Sequence, residues 1–468
     1  MATIVLYPSP GMGHLVAMVE LAKFILHHHP SLSATILVAP PSFNTGSTME
    51  FVRHISATVP SITFHHLPLV SLDLHAFPSM ESVIFEVLHR SNPEVRRALE
   101  TISRSATVSA FIIDYFCSEA LPLATELHIP TYYFFTSGAY IVAFLLYFPF
   151  MHRITTESFK DMKNALLHIP GVPPIPSSDM IRPIMDRTAA AYDFFLKFSQ
   201  NIPNSAGLLV NTFEALEHKP LETIRQGKCN PDGNTPPVFC VGPLLDTDKR
   251  HGGGEDCLKW LDKQPSESVV YICFGSLGTL SEAQLREVAV GLERSGQRFL
   301  WVVRSPPSED TGKRFLRPPE PDLKALLPTG FLDRTKERGL VVKSWAPQVA
   351  VLNHTAVGGF VTHCGWNSIL EAVSAGVPMV AWPMYAEQHY NRVVLVEDMK
   401  LALRMEEADD GFVAAEEVER RVVELMDGGL EVRKVVEEKS AEARAAMADG
   451  GSSVVALGKL VELWKFSA

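Results

Sequence analysis

The richest run of reactive groups in the chain is HCGWNSILE, from His363 to Glu371. The GGFVT before it reads as a strand, HCGWNS as a tight loop, and ILEAVSA as a helix closed by Gly376. A loop that empties onto a helix N-terminus offers backbone N–H groups and the positive end of the helix dipole, and His363, Asn367 and Ser368 add side-chain donors. Such a set suits an anion like a diphosphate, held without a metal or a lysine. A plainer reading is also open, because Ser368 and Glu371 match the S-x-x-E capping box that starts many helices. Far from this segment, His14 lies between the first strand-like run and the first helix-like run, a place for a general base. Asp114 ends the strand-like SAFIID, where a carboxylate can cap the helix that follows.

The elements that must position these groups alternate along the chain. Ile4 to Tyr7, a glycine-containing turn, the apolar helix Leu15 to His28 and the strand Ala34 to Ala39 form a βαβ unit. Val108 to Asp114, a helical stretch near Ser118 to Leu127, and Thr131 to Phe135 repeat it, which predicts a parallel sheet covered on both faces. The pattern breaks at NPDGNTPP and DTDKRHGGG, so a linker is expected at about residues 229–254. It resumes at Ser268 to Phe274, followed by a helix with Ser281 and Gln284 in a capping box and Leu285, Val288, Ala289 and Leu292 on one face. Ser305 to Pro328, rich in proline and charge, reads as a surface insertion. The expected fold is α/β, with two facing doubly wound, Rossmann-like domains at residues 1–245 and 255–451. A final helix at about 452–468 would dock back on the first domain. Ligands of doubly wound sheets bind beyond the carboxyl ends of the strands, so an interdomain cleft is the expected seat of the chemistry.

Composition removes several classes of function. Hydrophobic residues make up 46% and charged residues 20%, as in a packed globular protein, and 468 residues exceed what one core usually organises. A net charge of -11 opposes any broad contact with nucleic acid. The six cysteines form no CxxC pair, which points to buried free thiols rather than a disulfide framework or a zinc site. The chain runs almost directly into its first strand with no leader pattern, so a cytoplasmic protein is expected. The uncharged stretch Thr131 to Phe150 is long enough to span a bilayer, but TYYFF, TSGA and YIVAFLLYF read as strand, turn and helix of a core. Early GMGH is no dinucleotide fingerprint, because the third glycine of GxGxxG is replaced by Val16.

The segment WAPQVAVLNHTAVGGFVTHCGWNSILEAVSAGVPMVAWPMYAEQ, Trp345 to Gln388, resembles the signature of the plant secondary-product glycosyltransferases, family 1 UDP-dependent enzymes of GT-B architecture. The resemblance extends to FGSLGTLS, Phe274 to Ser281, and to PSPGMGH, which matches a PxPGxGH pattern. It implies that Trp345 stacks on uracil, Ala346 contacts it by backbone, and Gln348 and Glu371 reach the ribose. His363, Asn367 and Ser368, with Gly365 in the same loop and Ser276 nearby, would hold the diphosphate. Trp366, Glu387 and Gln388 would address the sugar, and Gly13 and Thr136 would approach the donor, although Thr136 can equally be a turn hydroxyl. His14 becomes the general base, and Asp114 its partner in place of a helix cap. The implied reaction is inverting transfer of glucose from UDP-glucose to a hydroxyl of a small phenolic, flavonoid-like acceptor, without metal or cofactor. YPSPGMGHLVAMVELAKFIL and PMYAEQ come closest to the branch acting on flavonoids, chalcones and other phenols. Phe116, Phe134, Phe144, Phe194 and Phe195 are candidates for the acceptor pocket, with a core role equally open for each. C-glycosylation of a similar phenol, or nucleotide-sugar binding without turnover, are the alternatives; a monomer is expected.

Overall fold

A computed structural model describes residues 2–40, 48–246, 255–308 and 318–466. The chain divides into two compact units, one comprising Met1–Asp246 and Ala445–Ala468, the other Thr247–Arg314 and Pro318–Arg444.

In the first unit, seven strands form one parallel sheet: β1 (Ala2–Tyr7), β2 (Ser33–Val38), β3 (Ile62–His66), β4 (Thr107–Asp114), β5 (Thr131–Phe135), β8 (Gly207–Val210) and β9 (Val238–Cys240), in the order β3-β2-β1-β4-β5-β8-β9. A small antiparallel pair, β6 (Leu166–Leu167) and β7 (Ile175–Pro176), stands apart from it. Ile4 to Tyr7 and Ala110 to Ile113 are wholly buried apolar runs, as strands covered on both faces require. Gly11, at φ 146°, makes the turn from β1 into helix Met12–His28 that a side chain would oppose. That helix carries apolar residues on most of its circumference and joins β1, β2 and helix Ser452–Phe466 in one core, where Leu457, Leu460, Val461 and Trp464 are buried. Ser453 ties the last helix down by donating to the Gly242 carbonyl at 2.6 Å. Helix Ala139–Ile154 has no side-chain cap of its own at Gly138; the buried Glu217 carboxylate supplies one by accepting from the N–H groups of Ala139 (2.8 Å) and Tyr140 (3.1 Å). Burial pushes Glu217 up to about 7.

The second unit repeats the topology. Strands β10 (Val269–Cys273), β11 (Arg298–Val303), β12 (Gly339–Lys343), β13 (Val357–Thr362), β14 (Met379–Ala381) and β15 (Ala402–Arg404) run parallel in the order β12-β11-β10-β13-β14-β15. In both units the chain order therefore reverses beside the first strand, between β1 and β4 and between β10 and β13. These are the switch points of doubly wound sheets.

Several local expectations change in detail. The stretch at 229–254 is not all connection, because Val238–Cys240 pairs with β8 and extends the first sheet; residues 247–254 lie outside the described residues. The Ser305 to Pro328 insertion also lies partly outside them, while Asp322 caps a short helix Leu323–Leu326 and Leu327 is buried. The side chain of Gln284 does not close its capping box: Ser281 accepts from the Gln284 N–H, but the Gln284 amide turns inward to bond both backbone groups of Val413. All six cysteines are buried and free. Thr131–Phe135 and Ala139–Ile154 are separate strand and helix, and no described helix is long and apolar enough to cross a membrane.

Candidate active site

At the switch point of the first unit, β1 leads into the helix that carries His14 in its first turn, and neighbouring β4 ends on Asp114. The two side chains meet, with His14 Nδ1 2.7 Å from Asp114 Oδ2. Asp114 is fully buried, while the His14 side chain keeps 23% exposure. The other carboxylate oxygen accepts from the Phe116 N–H at 3.0 Å, so Asp114 caps the turn after β4 and holds the imidazole at once. Asp114 therefore makes both contacts at once, to the turn and to the imidazole. Ionised, the carboxylate accepts from Nδ1–H, which sets the tautomer and leaves proton uptake to Nε2. Thr136 lies with its hydroxyl 3.3 Å from the same Nδ1, and Gly13 is exposed in the first helical turn.

Aromatic rings crowd this site. Phe116 stands 5.4 Å from the His14 ring and 5.4 Å from Phe85, which stacks on Phe194 at 3.6 Å; Phe195 lies 5.9 Å from Phe116. Phe134 and Phe144 do not share this surface. Phe134 is fully buried in the core with Ile112 and Leu209, and Phe144, also fully buried, packs against Phe148. Phe85 was not singled out by the sequence, where it is one apolar residue of helix Met80–Ser105; only the folded helix brings it to Phe116.

The second unit's switch point carries the other half of the expected machinery. β13 ends at Thr362, and His363, Cys364 and Gly365 lead into helix Trp366–Ala375, whose cap position is Gly365 with no side-chain bond. Ser368 is thus inside the first turn, not at the cap, and the capping-box reading of Ser368 and Glu371 falls away. Gln348 instead joins the two, donating from Nε2 to Ser368 Oγ (2.7 Å) and Glu371 Oε2 (2.6 Å). Trp345 is 46% exposed, an unusual state for a large ring, and Ala346 is buried beside it.

His363 is enclosed. A Cβ on Gly275 or on Gly365 would come within 2.5 Å of its ring, so both positions need glycine for the close approach. Its Nδ1 is buried without a hydrogen-bond partner among the described residues, and burial lowers its pKa to about 4. The ring is neutral near pH 7 and can give a hydrogen bond without a charge. Ser276 is exposed just after Gly275. Trp366 is 4% exposed, so its indole is packed within the unit. Gln388 is buried as well, and its Oε1 accepts from the N–H groups of Met384 and Tyr385, both at 2.9 Å; the oxygen is committed to its own loop, which leaves only the Nε2 group of this amide for a ligand. Glu387 is half-buried just before helix Gln388–Val393. Among the described residues no three His, Cys, Asp or Glu side chains converge to hold a metal ion.

Comparison with known proteins agrees with this geometry. The family described as UDP-glucoronosyl and UDP-glucosyl transferase matches residues 240–428. The chain is 51% identical over 462 residues to UDP-glycosyltransferase 88B1 of Stevia rebaudiana, covering 98% of each protein. It is 51% identical over 467 residues to the phloretin 2'-O-glucosyltransferase of Pyrus communis, covering 96% of this chain and 97% of that one. Among solved structures, Phytolacca americana UGT2 in complex with UDP-2fluoro-glucose and pterostilbene superposes with a TM-score of 0.88 at 38% identity, covering 99% of this chain and 100% of that one. With likeness of this degree over nearly its whole length, the chain belongs to the plant family 1 UDP-dependent glycosyltransferases, GT-B enzymes that transfer a glycosyl group from a UDP-sugar.

Proposed function

We propose that the protein transfers glucose from UDP-glucose to a hydroxyl of a small phenolic, flavonoid-like acceptor by an inverting displacement, with His14 as general base and Asp114 as its partner. The observation that carries this reading is the 2.7 Å contact between His14 Nδ1 and a fully buried Asp114, at the carboxyl ends of two adjacent strands. The acceptor oxygen attacks the anomeric carbon on the face opposite the departing UDP. Its C–O bond forms as the bond from that carbon to the β-phosphate oxygen breaks, and the hydroxyl proton passes to His14 Nε2. Asp114 then faces the imidazolium, which lowers the cost of the charge. The ring of Phe116 beside His14, with Phe85 and Phe194 packed next to it, supports a flat aromatic acceptor, as does the likeness to a phloretin glucosyltransferase and to a structure holding pterostilbene.

For the donor, exposed Trp345 suits stacking on uracil, and the linked Gln348 and Glu371 suit the ribose. The leaving diphosphate would take the N–H groups at the start of helix Trp366–Ala375, with Asn367, Ser368 and the Nδ1 of His363 as further donors, and so needs no metal. Glucose is the proposed sugar, selected chiefly by Glu387, since the oxygen of Gln388 is occupied. UDP-glucose, UDP-galactose, UDP-xylose and UDP-glucuronate, supplied together at equal concentration with one phenol and EDTA, test the whole reading by mass spectrometry. Glucoside as the main product is expected; a different leading sugar, or product only after Mg²⁺ or Mn²⁺ is added, contradicts it.

A further inference from the structure

The residue between His363 and Gly365 is Cys364, a fully buried non-glycine residue at φ 64°. This left-handed conformation is disfavoured wherever a Cβ is present, so surrounding bonds must hold it. Two polar partners do so. The Cys364 N–H donates to Thr362 Oγ1 at 3.3 Å, and its carbonyl accepts from the side-chain Nδ2 of Asn391 at 2.9 Å. Asn391 is 4% exposed and sits on helix Gln388–Val393, beyond the end of the Trp345 to Gln388 segment. The peptide it grips lies between the two groups proposed above to hold the diphosphate. On one side is His363, its ring fitted against Gly275 and Gly365 with Nδ1 unsatisfied; on the other is the first turn of helix Trp366–Ala375.

We infer that Asn391 is a positioning residue for the donor diphosphate: by holding the Cys364 carbonyl it keeps the chain in the left-handed turn that aims His363 and the helix N–H groups at one anion. The inference rests on the reading of this loop as the UDP site. Asn391 touches no part of the nucleotide itself in this account. Its effect reaches only the phosphates, since Gln348 and Glu371 are bonded to each other and the Trp345 N–H is held by the Lys343 carbonyl.

That separation makes the test selective. UDP and uridine are titrated by calorimetry into the whole protein and its Asn391→Asp and Asn391→Ala variants. Asn391→Asp keeps the volume and removes the donor, which guards against loss through a cavity. For both variants the UDP dissociation constant should rise about tenfold, as expected when a buried carbonyl loses its partner, while uridine binding stays within about twofold. An unchanged UDP constant, or equal weakening of UDP and uridine, overturns the role of Asn391. Wild-type protein that binds uridine and UDP equally well overturns instead the diphosphate site on which the inference rests.

Discussion

Two histidines lie at the switch points of two similar sheets, and their surroundings differ sharply. His14 follows the first strand of its sheet and His363 follows the strand beside the first strand of the other, each at a switch point. His14 keeps access to solvent and has a buried carboxylate at 2.7 Å. Among the described residues His363 has no carboxylate partner; it lies between two glycines and is held neutral by burial, with a pKa of about 4. In the proposed mechanism His14 needs a counter-charge waiting for the proton it gains, and Asp114 would provide it. His363, proposed as a hydrogen-bond donor to the leaving phosphate, must not titrate in that role, and desolvation would keep it neutral. On the proposed roles, the same fold serves acid–base chemistry in one unit and anion binding in the other by changing what stands next to one ring.

The largest effect should come from removing the proposed base. His14→Ala is expected to lower turnover of a phenol by roughly 100-fold to 10,000-fold, the range usual for a lost general base. Steady-state rates at saturating donor measure it, and unaltered turnover would remove His14 from the mechanism. Asp114→Asn comes next, with a loss of roughly 10-fold to 1,000-fold, because asparagine can still cap Phe116 but presents an N–H where the imidazole N–H needs an acceptor. The melting temperature should hold; a large drop would make Asp114 chiefly a cap. In the other unit, Gly275→Ala should weaken UDP about tenfold, since its Cβ meets the His363 ring and its φ of 73° opposes a side chain. Full UDP affinity in that variant would show that the ring is free to move.

The smallest effect concerns pH and stability. The folded His363 value, about 4, lies below the ordinary 6.5, so between the two the unfolded chain binds more protons than the folded one. The stability from a neutral His363 is complete above about pH 6.5 and is lost as pH falls toward about 4. Melting temperatures of wild type and His363→Asn should therefore converge as the pH is lowered through that window. A constant gap would contradict burial as the controlling influence.

Much of this was legible in the sequence, for identifiable reasons. Buried parallel strands must be continuous apolar runs, so Thr131–Phe135 and the repeated alternation of strand and helix stood out. Gly376 marked the end of the helix after HCGWNS, and its φ is 75°. The pairing of His14 with Asp114 was not readable from spacing, because 100 residues separate them and only the adjacency of β1 and β4 unites them. Family resemblance gave that pairing, and geometry added that Asp114 also caps. Phe85, the commitment of Gln388 to its own loop, and the capping of helix Ala139–Ile154 by Glu217 depend on where side chains turn, which no periodicity encodes.

The division of labour between the two histidines is tested most directly by titrating UDP into the same His14→Ala protein whose turnover has been measured. The account predicts a UDP dissociation constant within about twofold of wild type beside a turnover reduced at least 100-fold. UDP affinity lost in step with turnover would contradict it, since His14 would then be part of the donor site.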